Sequence, residues 1–235
     1  MQIKKGKQKR HYQILIYGPP GVGKSCLAAA NDAPLFCDAE QGTDFLEVDR
    51  VEAKTWNDVL MVCKEAETLA KSYKTIVFDS LTAIEKLATQ EVLNSHGWPT
   101  LASPGYGAGY AALKEKVQKW LSGISYAQSK GLNVIILAHS KVKTVNEPSQ
   151  DPYDRVEFDT QSSLLNLLNS AMDAVFYLRP KIVAKDGRTY GSGVRELIMS
   201  DKGGALAKTR FSTKGSIDFE NESAYQPFWK ELNNV

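Results

Sequence analysis

The chain has 235 residues, 43% of them hydrophobic and 24% charged, which suits one ordinary domain with a substantial core and excludes a disordered polymer. A net charge of +2 excludes nucleic-acid binding through bulk surface charge, so any such binding must come from a local patch. Cys26, Cys37 and Cys63 fall at no metal-type spacing and imply no disulfide framework, which points to a reducing compartment.

Residues 1–11, MQIKKGKQKRH, read as a basic arm, and no apolar run long enough for a signal peptide or a membrane span follows. The expectation is a cytoplasmic protein with no membrane contact, organised as one domain over residues 12–235. YQILIY (12–17) predicts a strand, KSCLAAA (24–30) a helix and APLFC (33–37) a second strand. Apolar residues at helical spacing predict a helix over 56–73, followed by a short buried strand, TIVFD (75–79). Helical patterns cover 82–94 and 110–128, and NVIILA (133–138) is another apolar strand. All-apolar strands alternating with helices predict an α/β fold with a parallel sheet covered on both faces.

Beyond residue 170 the pattern changes. DAVFYLRP, VRELIMS and ALAKTRFS read as strands joined by short turns, with no helices between them, which predicts an antiparallel extension of the sheet. Residues 96–109 and 140–160 read as two long irregular loops, the kind that in a compact domain are functional or mobile. AYQPFWKEL is expected to pack Phe228, Trp229 and Leu232 on the core, or else to dock a neighbour.

Between the first strand and first helix, Gly18-Pro19-Pro20-Gly21-Val22-Gly23-Lys24-Ser25 fits G-x-x-x-x-G-K-[ST] in the strand–loop–helix setting that this motif needs. Its glycines let backbone N–H groups wrap phosphate oxygens, and the helix start adds a favourable dipole. The stretch from Gly18 to Cys26 is the expected nucleotide-binding segment. Lys24 would reach the β- and γ-phosphates and the Ser25 hydroxyl would ligate Mg²⁺, so ATP and Mg²⁺ are the expected cofactors. Asp79, at the tip of TIVFD, is expected to support the metal; its alternative role is to cap the next helix.

The acidic turn in LFCDAEQGTD (35–44) faces the same edge. Two anions repel, so a carboxylate beside a triphosphate implies work on the nucleotide: Glu40 is expected to hold and polarise the attacking water as a general base. Asp38 is expected to be structural or to support the metal's water shell. The alternative is a solvent-exposed acidic turn.

LFCDAEQGTD resembles the segment that carries the catalytic glutamate of RecA-like recombinases. TIVFDS resembles their second nucleotide motif, and NVIILAHSKV the strand leading to their second DNA-binding loop. The order agrees over roughly residues 11–213, and more narrowly the chain resembles phage-encoded, core-only RecA-like ATPases of single-strand annealing and recombination. That resemblance implies an ATPase that binds single-stranded DNA and assembles into a homo-oligomeric ring or filament in a bacterial cell or phage-infected host, with a single-strand-binding protein as a possible partner. It places His139 where those proteins carry a γ-phosphate-sensing glutamine. It makes Lys208 and Arg210 a cationic pair that reaches a neighbouring subunit's nucleotide. For DNA, the residues singled out are the arm cations Lys4, Lys5, Lys7, Lys9 and Arg10 and the aromatics Trp98, Tyr106 and Tyr110. The acidic residues Glu147, Asp151, Asp154, Glu157 and Asp159 of the second loop oppose such a role unless they pair internally. Two other classes share the nucleotide motifs: a small-molecule kinase, which needs an acceptor pocket and an arginine-rich lid, and a helicase-like motor or scaffold acting on a protein.

Overall fold

The computed structural model describes residues 5–6, 10–146, 148, 151–185, 188–201, 203–211 and 215–233. The elements run β1 (Gln13–Gly18), α1 (Lys24–Ala29), β2 (Pro34–Asp38), β3 (Asp49–Glu52), α2 (Trp56–Lys64), α3 (Ala66–Leu69), β4 (Thr75–Asp79), α4 (Leu81–His96) and α5 (Ala108–Ser129). There follow β5 (Asn133–Val145), β6 (Tyr153–Phe158), α6 (Ser162–Ala171), β7 (Ala174–Lys185), β8 (Arg188–Ile198), β9 (Lys208–Thr209), β10 (Ser216–Phe219) and α7 (Tyr225–Asn233).

The sheet is ordered β10-β8-β7-β1-β5-β4-β2-β3, parallel from β7 to β3 and antiparallel where β8 and β10 extend it. This is the α/β core with antiparallel C-terminal strands that the sequence predicts. Burial on both faces explains why residues 14–17 of β1, 76–78 of β4 and 134–138 of β5 are apolar without interruption. Alternate residues of β1 feed opposite cores. Leu15 and Tyr17 join the face covered by α2, α4, α5 and α6; Ile14 and Ile16 join the face covered by α1 and α7. On the second face Trp229 of α7 donates its indole N–H to the Leu27 carbonyl of α1 at 2.7 Å, and Phe228 and Leu232 are buried, so AYQPFWKEL packs on the core.

Two expectations are corrected, and α6, β10 and α7 add to what was expected. Residues 140–160 are not an irregular loop: β5 runs on past the sheet and pairs with β6 in an antiparallel hairpin from Ser140↔Phe158 to Val145↔Tyr153. The alternation in KVKTV carries that signal, masked by the Pro, Ser and Asp residues at the turn. Residues 162–171 form a helix, α6, whose leucines Leu164, Leu165 and Leu168 are spaced for one buried face. ALAKTRFS is strand only at Lys208–Thr209, because the sheet edge there offers β7 backbone over just that length. The antiparallel end also gains β10 and the closing helix α7, which the short C-terminal patterns did not reveal. Among the described residues, no helix is long and apolar enough to cross a membrane.

Candidate nucleotide site

β1 delivers the glycine loop to the carboxyl edge of the sheet, where Gly18 lies level with His139 of β5. A Cβ at Gly18 would stand 2.1 Å from the Leu178 carbonyl oxygen, so no side chain fits there. Gly21 and Gly23 hold φ of 73° and 95°, the left-handed region in which turns of backbone N–H groups make anion-binding concavities. Lys24 is buried, and its ammonium donates to the carbonyls of Gly18 and Pro19, each at 3.0 Å. Burial lowers its pKa, against the pull of the Asp79 and Glu40 charges.

β4 carries Asp79 to the same edge, level with Asp38 of β2. Asp79 accepts from the Ser25 hydroxyl at 2.7 Å, while α4 is capped at Ser80 without any side-chain hydrogen bond, so Asp79 faces the loop and is not a helix cap. A hydroxyl and one buried carboxylate in contact fit Mg²⁺, which takes one or two protein oxygens and keeps several waters. Among the described residues, no three His, Cys, Asp or Glu converge on a metal bound wholly by protein.

Burial pushes the Asp79 carboxyl up to about 6, the Ser25 hydrogen bond opposing and the Glu40 and Asp38 charges adding to the rise. Because the folded pKa is raised, the ionised form is the one that folding disfavours, and metal-free protein gains stability as pH falls through about 6 towards the unfolded value near 3.8. Asp79→Asn is therefore expected to be more stable than wild type in urea at pH 7 without metal, and the difference to vanish below about pH 4. Equal midpoints at pH 7 would contradict this.

Asp38 explains how Glu40 is held. Its buried carboxylate accepts from the N–H groups of Glu40 (3.2 Å), Gln41 (2.7 Å), Gly42 (3.4 Å) and Thr43 (3.2 Å), and from the Thr43 hydroxyl at 2.5 Å. The backbone N–H groups of Ala39 and Glu40 also donate to the Asp79 carbonyl at 2.8 and 3.2 Å. This is a side chain organising a turn, so the structural alternative for Asp38 is the one realised. The turn aims Glu40 at His139, whose Nε2 lies 3.0 Å from Glu40 Oε1. Burial by itself would raise the Glu40 pKa. The nearby Ser80 hydroxyl, His139 and the Lys24 charge together outweigh it and hold the carboxyl low. Glu40 is thus an ionised acceptor, His139 donates from Nε2, and among the described residues the buried His139 Nδ1 has no partner.

The other predicted residues lie elsewhere. Arg210 donates to Asp173 at 2.9 Å, and Asp173 also takes the Gln13 N–H at 3.1 Å and the Arg10 guanidinium. That cluster sits at the amino-terminal end of β1 and β7, with Lys208 two residues away, so neither cation reaches its own chain's glycine loop. Trp98 stacks on His96 with centroids 4.2 Å apart, whereas Tyr106 is fully exposed. The hairpin's acids pair internally: Asp159 with Lys141, Glu157 with Lys143 and Arg155, and Asp154 with Thr144. Lys4, Lys7, Lys9 and Glu147 lie outside the described residues.

Both segments read as loops start on the nucleotide side. β5 leaves the sheet at His139 and becomes the hairpin. α5 is bonded near its end to Gln13 through Gln128 at 2.9 Å, and its 22 residues span ~33 Å, about twice the ~17 Å of β1. Its first turns, and the 97–107 connection before them, therefore extend past the carboxyl edge. One residue beside the loop went unnoticed in the sequence: Arg195 of β8 packs against Gly23, and a lone arginine in VRELIMS gives no motif to find it by.

Residues 10–211 match the protein family described as AAA domain. No curated protein matches the chain.

Proposed function

Because the chain belongs to the AAA domain family of P-loop ATPases, we propose that its ATPase activity is coupled to single-stranded DNA in annealing or recombination, within a homo-oligomer. In this reading Lys24 and the glycine-loop N–H groups bind the phosphates, and Ser25 and Asp79 hold Mg²⁺, which when bound offsets the charge of the phosphate oxygens. Glu40 accepts a proton of the attacking water and aligns it with the terminal phosphoryl group. The Gln41–Thr43 turn keeps that carboxylate in place through Asp38.

The observation that carries the DNA coupling is the position of His139. It is the last β5 residue level with the glycine loop, the partner of Glu40, and the residue before the projecting hairpin begins. A change at the terminal phosphate that alters the Glu40–His139 bond acts directly on the hairpin's root. The 97–107 connection, with exposed Tyr106, lies on the same side and offers a stacking surface for bases. Arg210, paired with Asp173, and Lys208 beside it are remote from their own loop, so as a nucleotide-binding pair they would act on a neighbouring subunit's nucleotide, as a cation supplied in trans.

The test is ATP turnover with and without single-stranded DNA. Wild type is expected to be stimulated severalfold, and in His139→Ala the ratio of stimulated to basal rate is expected to fall towards one. Turnover that ignores DNA and requires a small-molecule acceptor would sink the reading in favour of a kinase.

A further inference from the structure

The strand order fixes a direction across the nucleotide site. Glu40, Asp79 and His139 lie on or just after β2, β4 and β5, all to one side of β1. They mark where the terminal phosphate goes, so the α-phosphate and nucleoside must extend towards the opposite flank, over β7 and β8. Arg195 stands there. β8 pairs Arg195 with Pro180, and β7 pairs Tyr177 with Tyr17, which puts Arg195 past the carboxyl edge at the height of the glycine loop.

Its Cζ and Nε lie 3.3 Å from where a Cβ of Gly23 would stand, so any side chain at Gly23 would crowd the guanidinium. One terminal nitrogen donates to the Tyr225 hydroxyl at 2.8 Å and reaches Glu222 at 3.5 Å. Among the described residues, its Nε and second terminal nitrogen have no partner, and the side chain is 31% exposed. A guanidinium carries five donors in a planar fork. Here one arm is fixed by the C-terminal segment and the rest is left open beside an anion-binding loop. Electrostatics ask for such a group. At the strand tips Lys24 stands among three carboxylates, Asp79, Glu40 and Asp38, and a polyphosphate adds further negative charge.

We propose that Arg195 binds the α-phosphate of the nucleotide, held ready for it by Tyr225 and Glu222 of the C-terminal segment. The proposal rests on a nucleotide occupying the glycine loop. It makes α7, which is also bonded to α1 through Trp229 and Leu27, part of the nucleotide site and not only a cover for the core.

The experiment is calorimetric titration of the whole chain with ADP and with a non-hydrolysable ATP analogue, alongside melting with and without ADP. Arg195→Ala is expected to weaken both ligands alike by about 10- to 100-fold, the scale of a lost hydrogen bond to a charged group. The ligand-free melting temperature should stay near wild type while the ADP-induced rise shrinks. Arg195→Lys should recover part of the affinity, and Tyr225→Phe should weaken both ligands severalfold. ADP affinity unchanged in Arg195→Ala would overturn the proposal. So would a loss confined to the ATP analogue, which would assign the group to the terminal phosphate. Should Arg195→Ala fail to fold, wild-type ADP affinity in both Arg195→Lys and Tyr225→Phe overturns it equally. Wild type failing to bind ADP would instead remove the nucleotide reading beneath it.

Discussion

Glu40→Gln is expected to bind ATP at least as tightly as wild type and to hydrolyse it about 10²- to 10⁴-fold more slowly, the usual contribution of a positioned general base. The substitution is a fair test because it changes charge and almost nothing else. The turn that holds residue 40 is built on backbone N–H groups donating to Asp38 and to the Asp79 carbonyl, and none of these bonds involves the Glu40 side chain. A glutamine carbonyl can still accept from His139 Nε2, which now lies 3.0 Å from the carboxylate. What is lost is the negative charge that attracts a proton of the water, and its removal also relieves repulsion of the phosphates. Single-turnover hydrolysis separates this from a binding defect. A variant that hydrolyses at the wild-type rate would take Glu40 out of the mechanism.

Asp38→Ala is expected to cost about 3–5 kcal/mol of stability, the range for leaving buried groups without their charged partner. Thr43 is completely buried, and both its N–H and its hydroxyl donate to Asp38, so neither finds water when the carboxylate goes. Arg50, which donates to the Thr43 hydroxyl at 3.2 Å and to Asp44 at 2.9 Å, ties the same turn to the outer strand β3. Hydrolysis should fall with stability even where the protein remains folded, because Glu40 loses the frame that aims it. Asp38→Asn, which keeps an acceptor but turns an amide N–H₂ against N–H donors, should fall between. Urea midpoints that coincide for wild type and Asp38→Ala would show that the turn is held by other means.

The two carboxylates show how much of the site could be read in advance. That the glycine loop, Asp79 and Glu40 meet at one sheet edge was legible because each follows an apolar strand at a place where chain order and sheet type dictate the edge it must reach. Asp38 and Glu40 look alike in the sequence. Their separate roles depend on which points into the turn and which points out of it, and that is set by the backbone between 38 and 43. Arg195 was not legible at all, because it meets Gly23 only through a strand order that places residues 172 positions apart side by side. The hairpin of β5 and β6 was hidden for a different reason: its polar turn outweighed a short alternating pattern on each arm.

The layer structure and the glycine loop follow from local chain chemistry, since apolar periodicity and glycine placement are written in consecutive residues. Folding in three dimensions carries β5 through His139 into a projecting hairpin, binds Arg210 to Asp173 at the far end of the sheet, and lets the C-terminal helix hold an arginine against the loop. Those are meetings between distant segments. Their energies depend on burial and on partners that no stretch of chain carries within itself.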